Sequence, residues 1–166
     1  MDKYARWLTD KYICIMLLIF PLWTGTVGYT GITRPKFLFF ALLTGLWLAA
    51  LLACALFFRC KPSRPRGFQL AALAFMAAAC LSALFSENIQ YSILGSNRYD
   101  GLVTLLLYGG IALGVSRWGE FKERYVNLSA LAAGLCAVVC ILQLCRVNVL
   151  GLFPEGLDFY DAGTRY

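Results

Sequence analysis

The sequence predicts an all-α fold: a polytopic transmembrane helical bundle of about five spans with a cytoplasmic amino terminus. Three observations lead there. Of the 166 residues, 60% are hydrophobic and only 14% are charged, against about 45–50% and about 25% in soluble domains. The apolar residues are gathered into runs close to the ~20 residues that cross ~30 Å of hydrocarbon. Those runs have almost no polar face for water, which sets aside a very apolar soluble bundle. Finally, lysine and arginine collect in alternate connections between the runs.

The first predicted span covers 12–30. Pro21, Gly25 and Gly28 interrupt it, so it should kink or break in its outer half. Lys3, Arg6 and Lys11 precede it, as in the basic leader of a signal peptide. No small-residue cleavage site follows, and more spans come after, so it reads as an uncleaved anchor. The second span, 37–58, is uninterrupted by charge until its end. The third, 68–85, is rich in alanine. The fourth, 101–115, is short and contains Gly110-Ile-Ala-Leu-Gly114, a spacing that lets helix backbones approach closely. The fifth, 126–145, contains Gly134 and many alanines, and an outer tail, 146–166, follows it. The small residues of spans three to five predict tight packing against partner helices, in this chain or outside it.

Orientation follows from the basic residues. Ten of them (Lys3, Arg6, Lys11, Arg59, Lys61, Arg64, Arg66, Arg117, Lys122 and Arg124) lie on one side of the predicted topology. Arg34, Lys36, Arg98, Arg146 and Arg165 lie on the other. The richer side should be cytoplasmic. Trp7, Trp118 and Tyr125 then fall at inner boundaries and Tyr29, Tyr91, Tyr99 and Tyr160 at outer ones, as aromatic belts do, with Trp23 and Trp47 deeper.

The net charge of +6 is accounted for by these connections. No basic-aromatic platform suggests a nucleic-acid partner. Of the seven cysteines, Cys60 lies in a basic loop and the others lie within or at the ends of spans. None forms a CxxC pair, so no zinc ribbon or thioredoxin-type site is expected. Cys136 and Cys140 share a helix face; packing as small apolar residues is the better reading there than a metal or redox pair.

Candidate polar chemistry is confined to three outer segments: 29–36, 85–101 and the tail from Val147. The second is the most distinctive. Asn97, Arg98, Tyr99 and Asp100 stand just before a helix start, between Gly95 and Gly101, which permit tight turns. An arginine there suits a phosphate or a sugar carboxylate. On pattern alone a polar hairpin is the better reading, with Asp100 capping the fourth span and pairing with Arg98. Arg34 and Lys36 suit an anionic headgroup or pyrophosphate, or simply snorkel at a helix end. Arg98, Asp100, Arg34 and Lys36 are therefore the candidate substrate-binding residues.

No catalytic residue is identified. The sequence has no histidine, the commonest general base and metal ligand. The outward carboxylates Glu87, Asp100, Glu155, Asp158 and Asp161 show no acid/base spacing. There is no P-loop, Rossmann glycine pattern or nucleophile elbow. No span has a charge at its centre to mark an ion path.

Three phrases carry a resemblance: Gly31-Ile-Thr-Arg-Pro-Lys-Phe-Leu-Phe-Phe40, Leu84-Phe-Ser-Glu-Asn88 and Leu94-Gly-Ser-Asn-Arg-Tyr-Asp-Gly-Leu102. With the tail Asp158-Phe-Tyr-Asp-Ala-Gly-Thr-Arg-Tyr166, the chain resembles the amino-terminal part of the bacterial O-antigen ligase/polymerase-like membrane family. The resemblance implies a polytopic glycosyltransferase-type enzyme of the bacterial cytoplasmic membrane. Such an enzyme moves a glycan from undecaprenyl pyrophosphate to a glycan acceptor at the outer face. No nucleotide sugar, metal or other cofactor is implied. The family's key arginines and histidine belong to a long outer loop late in the chain, which this sequence does not contain. Arg98 and Asp100 would then be positioning residues at most. This chain alone is expected to be inactive and completed by a carboxyl-terminal half or by partner helices. The other reading is a non-enzymatic membrane subunit, a transporter component or assembly partner.

Overall fold

A computed structural model describes residues 2–24, 32–57, 67–95, 99–145 and 147. The described residues form six helices and no strand: α1 (Asp2–Leu22), α2 (Thr33–Phe57), α3 (Gly67–Leu84), α4 (Ile89–Leu94), α5 (Leu102–Trp118) and α6 (Glu123–Leu144). The helices α2, α3 and α6 are long and apolar enough to cross a membrane. At 17 residues, α5 is apolar but shorter, about 25 Å at 1.5 Å per residue.

The long helices alternate in direction. Tyr12 of α1 meets Thr44 and Trp47 of α2, while Lys36, near the start of α2, reaches Pro21 at the end of α1. Gln69 at the start of α3 hydrogen-bonds Ser116 at the end of α5. The start of α6 lies against the first half of α1. The α5 helix is the hub, touching α1, α2, α3 and α4, and α6 packs on α1.

Sequence spacing explains the core. In α2, Phe40, Thr44, Trp47 and Leu51 are buried, a single stripe at intervals of four, three and four residues. In α1, Ala5, Thr9 and Tyr12 are buried in the same way. The Tyr12 ring stacks on Trp47 with centroids 4.2 Å apart and planes 7° apart, and its hydroxyl lies 2.9 Å from Thr44 Oγ1. The glycines of α5 make the close approach possible. A Cβ on Gly110 would lie 2.7 Å from Leu48, and one on Gly114 would lie 2.5 Å from the Trp47 ring. A side chain on Gly114 would have to displace the Trp47 ring.

The helices and the expected spans differ at their ends. The helix α1 begins at Asp2, ten residues before the predicted span, because Ala5 and Thr9 continue the stripe that Tyr12 belongs to. It ends at Leu22, one residue after Pro21, a break in the outer half as expected; Gly25 and Gly28 lie outside the described residues. Trp23 sits beyond the helix end and is exposed, stacked on Phe39. Similarly, α2 starts at Thr33, which places Pro35 in the first turn, where no amide hydrogen is needed. The small residues divide into two groups. Those of α5 pack within the chain, whereas Ala71, Ala74, Ala77 and Ala78 of α3 and Ala130, Ala133, Gly134 and Ala137 of α6 are exposed.

Candidate functional site

Polar groups gather at two opposite ends of the bundle. The end predicted from sequence holds the start of α2, the short helix α4 and the turn into α5. Ser86 organises the approach to α4: its Oγ accepts from the Asn88 amide at 3.3 Å and from Ser92 Oγ at 2.6 Å. At Gly95 the chain takes a left-handed turn, φ +77°. It then returns to its own backbone, so that a Cβ on Gly95 would lie 2.6 Å from the Asp100 nitrogen. A Cβ on Gly101 would collide with backbone atoms of Ile93, Leu94 and Gly95. Both glycines are required by this pinch.

Tyr99 anchors the pinch to the bundle. It adopts φ +58°, a conformation that bulky residues seldom occupy. Its ring stacks on Phe37 of α2, with centroids 4.6 Å apart and planes 8° apart. Its carbonyl accepts a hydrogen bond from the buried Thr104 hydroxyl of α5. The sequence reading placed Tyr99 in an aromatic belt and did not identify this stack; the alternation of aromatics at the start of α2 is the only signal that hints at it.

The candidate residues take different places. Arg34 is exposed, one turn before Phe37 and hence on the face of α2 that meets Tyr99. Asp100 is exposed beside the pinch. It does not cap α5, as the hairpin reading expected: Gly101 is the cap residue, and no side-chain bond is made there. Arg98 lies outside the described residues. Lys36 has a local task, because its Nζ donates to the Pro21 carbonyl at 3.4 Å. That carbonyl is among the last of α1 without an intrahelical partner, and a cation there also complements the helix dipole. Lys36 thus sits at a helix end as snorkelling predicts, but the end it serves belongs to α1.

The opposite end was not predicted as a site. There Asp10, which is buried, joins α1 to the start of α6. Its Oδ1 accepts from Lys122 Nζ at 2.8 Å and from the Tyr125 hydroxyl at 2.6 Å, and its Oδ2 pairs with Arg124. Burial pushes the carboxyl pKa up, but the bonds from Arg124, Lys122 and Tyr125 outweigh it and hold the group well below its ordinary value of 3.8. A carboxylate so firmly ionised is a weak general base. Arg6 pairs with Glu120 nearby, where both groups are half exposed. An open cleft of about 420 Å³ lies among Lys3, Arg6, Trp7, Asp10, Glu120 and Lys122. Tyr125, expected at a membrane boundary as a belt aromatic, is instead buried and hydrogen-bonded. The signal for this cluster was present in the sequence: Asp10 is an acid between the basic Arg6 and Lys11, at the edge of an apolar run.

Among the described residues, no three histidine, cysteine, aspartate or glutamate side chains are grouped to hold a metal ion. Cys136 is half-buried, Cys140 is exposed, and both are free. No protein-family model, curated protein or solved structure matches the chain.

Proposed function

We propose that this chain is the amino-terminal portion of an envelope glycan ligase or polymerase. It would help transfer a saccharide from undecaprenyl pyrophosphate at the outer face of the bacterial cytoplasmic membrane. The observation that carries this reading is the glycine-pinched turn at 95–101, fixed to α2 by the Phe37–Tyr99 stack. It holds an exposed carboxylate, Asp100, at the same end as an exposed guanidinium, Arg34, above helices of membrane-crossing length. That is a preformed polar ledge on an apolar bundle, suited to a pyrophosphate-linked sugar whose lipid stays in the bilayer. In this reading α1 from Tyr12, α2, α3, α5 and α6 make five crossings. The Asp10 end, with its excess of lysine and arginine, faces the cytoplasm.

The exposed alanines and Gly134 on α3 and α6 support further helices packing there, from a carboxyl-terminal half or from a partner. The same faces also favour the second reading, a non-enzymatic membrane subunit that is a transporter component or assembly partner. One experiment separates them. The gene is deleted in its source organism and the undecaprenyl-pyrophosphate-linked glycan pool is measured. The enzyme reading expects that pool to accumulate while mature surface glycan falls, with wild-type sequence but not the Arg34→Ala/Asp100→Ala variant restoring both. An unchanged pool would overturn it, and restoration by that variant would remove the ledge from the mechanism.

A further inference from the structure

The helices α2 and α3 each pack on α5 but not on one another. Between them lies a groove of about 380 Å³. Leu48 and Leu52 form one wall, Leu73 the other, and Gly110 and Gly114 of α5 the floor. Both walls belong to helices long and apolar enough to cross a membrane, so the medium that would fill the groove is hydrocarbon. One end is different. Arg117 closes it, its guanidinium 5.0 Å from the centre of the Trp118 ring, and the Gln69 amide donates to Ser116 alongside. This is also the end where Lys3, Arg6, Lys11, Lys122 and Arg124 outnumber Asp10, Glu120 and Glu123.

We infer that the groove is a binding site for an anionic glycerophospholipid, with one acyl chain between α2 and α3 and its phosphate at Arg117. From Gly110 to Arg117 the groove runs about 10 Å along α5. The charge favours an anionic headgroup, because a planar guanidinium donates two parallel bonds to a phosphate. Basic pockets between membrane helices select anionic lipids for the same reason. The two glycines matter because any side chain on them would fill the floor.

The test is native mass spectrometry of the full chain, released from nanodiscs containing equal amounts of phosphatidylglycerol and phosphatidylcholine. The expected result is about fivefold preferential retention of phosphatidylglycerol, the preference that about 1 kcal/mol from one interfacial arginine confers. Arg117→Gln should abolish the preference and Arg117→Lys should keep most of it. Leu73→Trp, which fills the groove from an exposed wall position, should reduce retention of both lipids. Equal retention of the two lipids by the wild-type chain would overturn the inference. So would an unchanged preference in Arg117→Gln, or retention of added undecaprenyl phosphate alone. If Arg117→Gln does not fold, the Arg117→Lys and Leu73→Trp results still decide.

Discussion

The two ends of this bundle are stabilised by opposite means. At one, a buried carboxylate collects Lys122, Arg124 and Tyr125 and ties the first helix to the last. At the other, two glycines and a stacked pair of rings shape the backbone, and the charged groups Arg34 and Asp100 are left exposed. The comparison separates charge used for structure from charge held outward. Asp10 is the most strongly bonded acid among the described residues, and on that account the poorest candidate for chemistry. Asp100 makes no cap and holds no helix, and so remains open to a ligand.

The comparison can be broken most severely at the glycine end. Gly101→Val would drive a side chain into the backbone of Ile93, Leu94 and Gly95, none of which can swing aside. The expected loss is about 3 kcal/mol, at the top of the overpacking range, read as a shift in an SDS unfolding titration. An unshifted titration would mean that the pinch is not part of the folded state.

Asp10→Ala tests the other end. Removing one partner of a fully buried ion pair costs about 3–5 kcal/mol. The side chains of Lys122 and Arg124 are 41% and 48% exposed and regain water when the carboxylate goes, so about 2 kcal/mol is expected. Loss of α1–α6 cross-linking between engineered cysteines should accompany it. The same contact has a pH signature. Because folding lowers the Asp10 pKa, its contribution is complete above the ordinary value of 3.8 and fades as the pH falls below it. Stability in the same titration should therefore drop between pH 5 and pH 2 (approximate bounds from linkage) in the wild-type chain, and drop less in Asp10→Ala. A parallel decline in both would assign the effect to other carboxylates.

The smallest effect is expected at Tyr99. Replacing it with glycine relieves a left-handed conformation costing about 1–2 kcal/mol but loses a stacked pair contributing about 0.5–1.5 kcal/mol beyond its buried area, that buried area itself and the entropy a glycine adds to the unfolded chain. The net should be a loss of about 1 kcal/mol. An unchanged or raised stability would show that the backbone cost outweighs the Phe37 stack.

Much of this was legible in the sequence for identifiable reasons. The apolar runs gave the long helices, because no polar face interrupts them. Gly95 and Gly101 announced a tight turn, and the structure requires glycine at both. Gly110 and Gly114 announced a close helix contact, and α2 makes it. What escaped was set by contacts between distant segments. The amino-terminal half of α1 looked like a charged leader, and only the face Ala5, Thr9 and Tyr12 reveals it as part of the bundle. Asp10 acquires its meaning from residues more than a hundred positions away. Lys36 read as an anion ligand or a snorkelling end residue, and which helix end it serves shows only once the end of α1 is placed beside it. The alanines of α3 and α6 predicted packing, yet their partners are not among the described residues.

The measurement that bears most directly on the contrast between the ends is cysteine accessibility across the membrane. In a background without the native cysteines, Asp100→Cys and Glu120→Cys are each treated with a membrane-impermeant maleimide. Labelling of position 100 in intact cells, with position 120 labelled only after permeabilisation, is the outcome expected for an outward polar ledge and an inward charged clasp. Labelling of both positions in intact cells, or of position 120 alone, would contradict it.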